Sequence, residues 1–179
     1  MTAQRPPEHV ILVNEQDEMT GTMEKHEAHR KGVLHRAFSV FLFDAEGRLL
    51  LQQRAAGKYH SASLWTNTCC SHPRPGEDTA VAAVRRLQEE MGLHAALEHR
   101  FAFIYRAEVG HGLIEHELDH VFFGQAHATP NPDPTEAQDW RYVDMVALSA
   151  ELEAHPERFT AWLRICWPQV HKQILKKRA

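Results

Sequence analysis

The sequence contains little cysteine: there are three residues in 179, and two of them, Cys69 and Cys70, are adjacent. Proteins that depend on disulfides carry more cysteines at regular spacings, so we expect free thiols and a cytoplasmic location. The first ten residues lack the apolar core of a signal peptide, and no apolar run reaches the length of a membrane span. These absences argue against a secreted disulfide scaffold and against a membrane protein.

An excess of positive charge is also missing. Lys and Arg number 20 against 24 Asp and Glu, which gives a net charge of −4. Proteins that bind nucleic acids usually carry a basic surface, so this balance argues against such a partner. Hydrophobic residues make up 43% and charged residues 25%, as in an ordinary globular protein. Because there is no internal repeat and no linker, residues 1–179 are predicted to form a single domain.

Residues 65–93 contain the chemistry around which the rest of the chain is organised. Within them, residues 65–75 are predicted to form a loop with reactive side chains, including Cys70 and His72. A free thiol is easily tuned by its neighbours, which makes Cys70 a candidate acid/base group. The adjacent Cys69 is expected to be a small buried filler.

The second part of this stretch, residues 77–91, is predicted to form an amphipathic helix. Asp78 or Thr79 can cap its start with a side-chain oxygen, and Gly92 follows at the position of a left-handed C-cap. An apolar stripe is predicted from the residues at helical spacing: Ala80, Val84, Leu87 and Met91.

Short apolar runs and alternating patterns predict the strands of a sheet. The predicted strands are residues 10–13, 33–43, 49–52, 101–107, 115–125 and 140–143. Residues 156–176 look helical, with an interruption expected near Pro168. The predicted fold class is therefore α/β (α+β), with a mixed sheet flanked by helices.

The predicted helix and its flanks resemble the Nudix box, the loop–helix motif of the Nudix hydrolases. Aligned on Gly92, the matching residues are Glu77, Arg85, Leu87, Glu89, Glu90 and Leu93. Two positions depart from the motif: Ser71 replaces a glycine, and Arg86 replaces a glutamate that helps to hold the catalytic metal. An arginine repels a metal ion and attracts phosphate. The resemblance therefore implies a Nudix-like fold without the usual hydrolytic chemistry.

A closer resemblance, to the type I isopentenyl-diphosphate isomerases, covers nearly the whole chain. It rests on TGTMEKHEAH at residues 20–29, TNTCCSHP at residues 66–73, the pair Glu115 and Glu117, and FTAW at residues 159–162. The resemblance implies an isomerase of isoprene biosynthesis that interconverts isopentenyl and dimethylallyl diphosphate by protonation and deprotonation. We expect a small isoprenoid diphosphate as the substrate and a monomer or weak homodimer.

The same resemblance implies a metal site. Its ligands would be His29, His35, His72, Glu115 and Glu117, with Cys70 as a further ligand. Taken singly, each of the 14 histidines is more simply an exposed ring, and the glutamate pair a solvated strand edge. His26 is an alternative to His29 as the first ligand. Imidazoles with carboxylates suit Mn²⁺, Zn²⁺ or Mg²⁺.

Four residues are assigned to the chemistry by this resemblance: Cys70, Glu117, Tyr105 and Trp162. Cys70 and Glu117 would act as acid/base groups on opposite faces of the substrate, with a hydrogen bond from the Tyr105 phenol tuning the carboxylate. The face of Trp162 would stabilise a tertiary carbocation without reacting with it. The simpler role for Tyr105 and Trp162 is core packing, and both alternatives are open for Trp65.

A diphosphate needs cations to bind it, and the resemblance assigns four: Lys25, Arg54, Lys58 and Arg86. Glu90 would help to bind a Mg²⁺ ion that is shared with the diphosphate. As isolated residues the four cations are ordinary surface charges. Arg86 and Glu90 lie four apart on the predicted helix, so a salt bridge is their simpler role.

Two other functions fit parts of the sequence. A Nudix hydrolase that cleaves a diphosphate is the rival enzyme, but Arg86 and the loop from Cys70 to His72 argue against it. A Nudix-derived module that only binds phosphorylated ligands would not need Cys70, Glu117 and Tyr105 together. The isomerase is therefore the favoured prediction.

Overall fold

A mixed sheet of nine strands forms the centre of residues 8–178, the part of the chain that this computed structural model describes. The strands are β1 (His9–Val13), β2 (Met19–Glu24), β3 (His35–Phe43), β4 (Leu49–Arg54), β5 (Trp65–Thr66), β6 (Cys69–Ser71), β7 (Glu98–Glu108), β8 (Ile114–Gln125) and β9 (Ala137–Val143). The helices are α1 (Lys25–Lys31), α2 (Thr79–Met91), α3 (Met145–Ala154) and α4 (Ala161–Arg178), with a 3₁₀ turn at Pro156–Arg158. Residues 1–7, which hold most of the segment inspected for a signal peptide, and residue 179 lie outside the described residues. The predicted mixed sheet flanked by helices is confirmed.

Strand β3 joins the two parts of the sheet. On one side it pairs in parallel with β8 along its whole length, from His35 opposite Glu117 to Phe43 opposite Gln125. On the other side it pairs antiparallel with β1, β6 and β4 in turn. Strands β6 and β8 therefore present their side chains from opposite sides of β3.

Alternate residues of β3 point to opposite faces of the sheet and build two cores. Phe41 packs with Leu163 in the core under α3 and α4. Val40 packs with Leu87 in the core under α2. By the same alternation, His35 at the polar start of β3 lies on the same face of the sheet as Phe41, the face covered by α4.

Residues 65–75, predicted as a loop, contain the two short strands β5 and β6. Strand β5 pairs with β4, and β6 pairs with β3. These partners come from earlier parts of the chain, and strands of two and three residues are too short to show an alternating pattern. The prediction of a loop is therefore wrong for these residues.

Helix α2 buries only part of the predicted apolar stripe: Leu87 and Met91 are buried as predicted. Ala80 and Val84, both predicted to be buried, are exposed. The buried residues are Ala82, Ala83, Leu87, Glu90 and Met91. Glu90 is on this face because it has polar partners there: Gln52 donates to its Oε2 at 3.0 Å and Arg86 to its Oε1 at 2.6 Å. An apolar pattern does not reveal a buried carboxylate.

Helix α4 continues through Pro168 without the predicted interruption. Trp167 and Val170, on either side of the proline, are both buried in the core under this helix, so packing holds the two halves in line. Neither α4 nor any other helix of residues 8–178 combines the length and apolarity needed to cross a membrane. Strand β2 and helices α1 and α3 have no counterpart among the predicted elements.

Candidate active site

Three imidazoles and two carboxylates meet at the polar start of β3. One nitrogen or oxygen from each lies within 4.8 Å of those of all the others, and together they could hold a metal ion. We call this group the His/Glu cluster: His29, His35, His72, Glu115 and Glu117. These are the five side chains that the sequence resemblance names as the main ligands, so the fold brings all of them to one place.

The end of helix α1 and the register of the strands bring the cluster together. His29 lies in the last turn of α1, which is capped by Gly32 in a left-handed conformation with φ of 63°. His35 begins β3 directly opposite Glu117 of β8. His72 follows the last residue of β6, and its Nε2 lies 2.8 Å from Glu117 Oε1.

His26, the alternative to His29, lies outside the cluster. Its side chain is exposed, and its ring centroid is 5.1 Å from that of Tyr59. His29 is fully buried, and its Nε2 lies 3.3 Å from Glu115 Oε2. The geometry therefore favours His29 over His26 as a ligand.

The unpaired atoms of the cluster fit a metal ion. Among the described residues, His29 Nε2 and Glu115 Oε2 are buried atoms without a hydrogen-bond partner. His35 Nδ1 donates to the carbonyl of Val33 at 2.8 Å, which leaves its Nε2 for a ligand, and this Nε2 lies 3.2 Å from His72 Nε2. Buried polar atoms without partners are costly, and a divalent cation satisfies imidazole nitrogens and carboxylate oxygens together.

The electrostatics of the cluster also suit a metal. Burial alone raises the pKa of Glu117, but hydrogen bonds and charge from His35, together with the Tyr105 hydrogen bond, outweigh it and hold this pKa at about 2. Burial, with the charges of His35 and His29, lowers the pKa of His72 well below its usual value. Glu117 is therefore ionised and His72 neutral at pH 7, which are the protonation states of metal ligands. Burial lowers the pKa of His35, but the hydrogen bond and charge of Glu117 outweigh it and raise this pKa, so a metal bound there would displace the proton of His35.

Tyr105 supports Glu117 from the neighbouring strand. The two residues are directly opposite in the pairing of β7 with β8, and the Tyr105 hydroxyl donates to Glu117 Oε2 at 2.6 Å. Burial and the charge of Glu117 raise the pKa of Tyr105 well above its usual value. The phenol therefore keeps its proton and acts as a donor to the carboxylate.

Cys70 sits among hydrogen-bonding partners in the same cleft. Its Sγ donates to Asn67 Oδ1 at 2.9 Å, and Trp162 Nε1 donates to Cys70 Sγ at 3.1 Å. Burial raises the pKa of the Cys70 thiol to about 12. The thiol is therefore protonated at neutral pH, and a proton can be given from it.

Strand pairing separates the two adjacent cysteines. Cys70 lies opposite Ser39 in β3, and Cys69 lies opposite Val40. Cys70 therefore faces the cleft, whereas Cys69 points into the core under α2, where it is fully buried. The structure thus places Cys69 as the buried filler that its sequence position predicted.

A second group of side chains, which we call the cation cluster, lines the same cleft as Cys70, Glu117 and Trp162. Its members are Lys25, Arg54, Lys58 and Arg86. Arg54 donates to two backbone carbonyls at 3.1 Å and lies over the ring of Trp162, 5.2 Å from its centroid. Four positive side chains around one cleft suit an anionic group such as a diphosphate.

Carboxylates are paired with three of these cations. Lys25 forms an ion pair with Glu8, and Lys58 forms one with Glu136. Arg86 Nη2 lies 2.6 Å from Glu90 Oε1 and 3.2 Å from Glu136 Oε1. The salt bridge that helical spacing predicts for Arg86 and Glu90 is therefore formed.

Several residues of the site were not predicted from the sequence. Gln52, Tyr59, His60 and Glu136 line the cleft, and the buried Asn67 accepts the hydrogen bond of Cys70. Glu136 lies far from its cationic partners in the chain, so no spacing indicates the contact. Trp65 does not line the cleft. It packs against the core under α3 and α4, which favours core packing over a role in the pocket.

The mixed sheet and the α2 helix with its preceding loop define the class of the protein. A NUDIX domain model matches residues 33–163, so the chain belongs to the Nudix family. A crystal structure of DR0079 from Deinococcus radiodurans has the same fold, with a TM-score of 0.76 at 20% identity over 90% of this chain and 98% of that one. MutT protein from Methanosarcina mazei Go1 superimposes with a TM-score of 0.64 at 15% identity over 78% and 94% of the chains. The predicted Nudix-like fold is confirmed.

Relatives of higher identity narrow the family. An isopentenyl-diphosphate Delta-isomerase 2 from Aromatoleum aromaticum is 53% identical over 161 residues, which cover 90% of this chain and 85% of that protein. An isopentenyl-diphosphate Delta-isomerase from Pectobacterium atrosepticum is 50% identical over 165 residues, 92% of each chain. Within the Nudix family, this chain therefore belongs with the isopentenyl-diphosphate Delta-isomerases, and the resemblance seen in its sequence is confirmed.

Proposed function

We propose that the protein interconverts isopentenyl diphosphate and dimethylallyl diphosphate by adding a proton to one carbon and removing a proton from another. The observation that carries this proposal is the placement of Cys70 and Glu117. They come from strands on opposite sides of β3, and both line one cleft together with the cation cluster. A substrate anchored by its diphosphate would lie between a thiol and a carboxylate.

The protonation states of the two groups suit their tasks. Cys70 Sγ carries a proton that it gives to the terminal alkene carbon, while the ionised Glu117 takes a proton from the carbon two bonds away. The thiolate left on Cys70 is stabilised by the N–H of Trp162, 3.1 Å away. One proton enters and one leaves the carbon skeleton, so the product is an isomer of the substrate.

The positive charge that forms on the tertiary carbon needs an environment without nucleophiles. Trp162 lies beside Cys70 in the cleft and is buried, and an aromatic ring attracts a cation without forming a bond to it. Tyr105 keeps its proton on the hydroxyl that holds Glu117 in position. These two residues therefore support the proton transfers without exchanging protons with the substrate.

The metal and the diphosphate are assigned to different residues. The His/Glu cluster would hold Mn²⁺, Zn²⁺ or Mg²⁺. Cys70, which the resemblance implied as a further ligand, lies outside the cluster, and its protonated thiol suits proton transfer and not metal binding. Such an ion would supply positive charge next to Glu117 and would adjust the acidity of its carboxylate. Glu90 would bind a Mg²⁺ that is shared with the diphosphate, while the cation cluster binds the remaining phosphate oxygens.

Replacement of the two proton-transfer groups tests this function. Cys70→Ala and Glu117→Gln should each lower kcat by a factor of about 10²–10⁴, because each removes a general acid or base. Conversion of isopentenyl diphosphate is followed by proton NMR, and metal content is measured for Glu117→Gln. The matched control is Cys69→Ala, which should remain close to wild type. An inactive Cys69→Ala beside an active Cys70→Ala would overturn the assignment.

A further inference from the structure

The segment between β4 and β5 reaches the His/Glu cluster from outside. It carries Lys58 of the cation cluster, followed directly by Tyr59 and His60. Arg54 donates to the backbone carbonyls of His60 and Ser61, at 3.1 Å in both cases. These hydrogen bonds hold the segment in a defined path. The path includes Ser61 at φ of 50°, an uncommon value for a residue with a side chain.

His60 contacts one of the two oxygens of Glu115. Its Nε2 lies 3.0 Å from Glu115 Oε1, and only 5% of its surface is exposed. Because an ionised carboxylate has no proton to give, the N–H in this contact belongs to His60. The other oxygen, Glu115 Oε2, is the buried atom that faces His29 without a hydrogen-bond partner in residues 8–178.

Tyr59 makes the equivalent contact with His29. Its hydroxyl lies 2.8 Å from His29 Nδ1. An imidazole has only two ring nitrogens, so Nε2 is the one left for a metal. His29 and Glu115 thus each have one atom occupied by the segment and one atom directed into the His/Glu cluster.

We propose that Tyr59 and His60 are positioning residues for the metal site, which hold His29 and Glu115 so that each presents a single atom to the ion. Partners of this kind around metal ligands orient the ring or carboxylate, and their loss typically weakens metal binding about 10–100-fold. The proposal rests on the metal site of the proposed function. It adds two residues that touch the ligands and not the ion.

Metal affinity, measured without substrate, tests the proposal. Dissociation constants for Mn²⁺ and Zn²⁺ are determined by competition with a chromogenic chelator on the full chain. His60→Leu, which removes the N–H donor, should bind about 10–100-fold more weakly. His60→Gln, which keeps a donor, should restore most of the affinity, and Tyr59→Phe should weaken binding without a change in volume. The exposed His127→Leu is the matched control and should match the wild type.

Thermal unfolding of the metal-stripped proteins shows whether each variant folds, and Tyr59→Phe carries the test if His60→Leu does not. Wild-type affinity in folded His60→Leu and Tyr59→Phe would overturn the positioning role. Equal losses in His60→Leu and His60→Gln would also contradict it, because they assign His60 to packing. A wild-type protein that binds neither these ions nor Mg²⁺ would instead refute the metal site of the proposed function.

Discussion

The His/Glu cluster and the cation cluster share one cleft but are built differently. The first is made mostly by strands and is mostly buried: His29 and His35 are inaccessible, Glu115 and Glu117 are 4% and 7% exposed, and only His72 among the five is partly exposed. The second comes from a helix start, a strand end, a loop and α2, and its lysines keep about a quarter of their side chains exposed, 27% for Lys25 and 22% for Lys58. The pairing of strands positions most of the His/Glu cluster, whereas separate local segments position the members of the cation cluster.

The two clusters also differ in how their charges are balanced. In the His/Glu cluster, His29 Nε2 and Glu115 Oε2 face each other without hydrogen-bond partners among residues 8–178, an arrangement suited to a metal ion. In the cation cluster, Lys25, Lys58 and Arg86 already have carboxylate partners. A diphosphate that binds there must compete with those carboxylates. The His/Glu cluster thus suits the proposed resident ion, and the cation cluster suits the proposed diphosphate, which binds and is released.

The largest expected difference between the two clusters concerns the proposed resident metal. His72→Asn should weaken metal binding by more than about a hundredfold, since even the loss of an outer partner costs about 10–100-fold. Glu90→Gln should leave that metal in place and weaken the Mg²⁺ dependence of diphosphate binding. Metal analysis of protein purified without chelators and titration with inorganic diphosphate measure the two effects. Unchanged metal content in His72→Asn would remove His72 from the ligand set.

This contrast also explains what the sequence could predict. The His/Glu cluster and the acid/base pair were named from the sequence, because motif residues such as His72 and Glu117 match a family pattern. Strand β3 was predicted because its alternation and apolar content are local properties of the chain. The sequence does not show that β6 pairs with β3, although this pairing decides which of Cys69 and Cys70 faces the cleft.

The unpredicted parts depend on contacts between distant residues. Glu136 pairs with Lys58 across 78 positions of the chain. Tyr59 and His60 look like ordinary loop residues until the fold brings α1 and β8 beside them. The burial of Glu90 on α2 has the same origin, since its hydrogen-bond donor Gln52 comes from β4. A sequence pattern indicates which local structure a residue prefers, but it does not identify the distant residue that forms a hydrogen bond or ion pair with it.

A smaller effect is expected from the cation cluster. Lys58→Met should raise KM for isopentenyl diphosphate roughly tenfold to a hundredfold with little change in kcat, because a hydrogen bond to a charged group contributes about 1.5–3 kcal/mol. Steady-state kinetics measure both constants. Lys31→Met removes an exposed lysine that pairs with Glu27 away from the cleft, and it is the matched control. A fall in kcat without a change in KM would assign Lys58 to the chemical step and would contradict the separate roles of the two clusters.

The smallest effect is expected when a competing carboxylate is removed. Glu136→Gln should bind inorganic diphosphate more tightly, because Lys58 and Arg86 lose an internal partner. Ion pairs near the surface contribute about 0.2–1 kcal/mol, so the gain should stay below about fivefold. Calorimetric titration measures it, with Glu157→Gln at an exposed site as the control. Weaker binding in Glu136→Gln would show that this carboxylate assists the diphosphate site.

The most direct test of the proposed chemistry follows hydrogen and phosphorus in one reaction in D₂O. The protein is incubated with isopentenyl diphosphate and Mg²⁺, and proton, deuterium and phosphorus NMR spectra are recorded. Because Cys70 and Glu117 exchange their protons with solvent, deuterium should enter the isoprenoid carbons as dimethylallyl diphosphate accumulates, and the two phosphorus signals of the diphosphate should persist. Release of inorganic phosphate with no deuterium on carbon would contradict the isomerase and support a hydrolase.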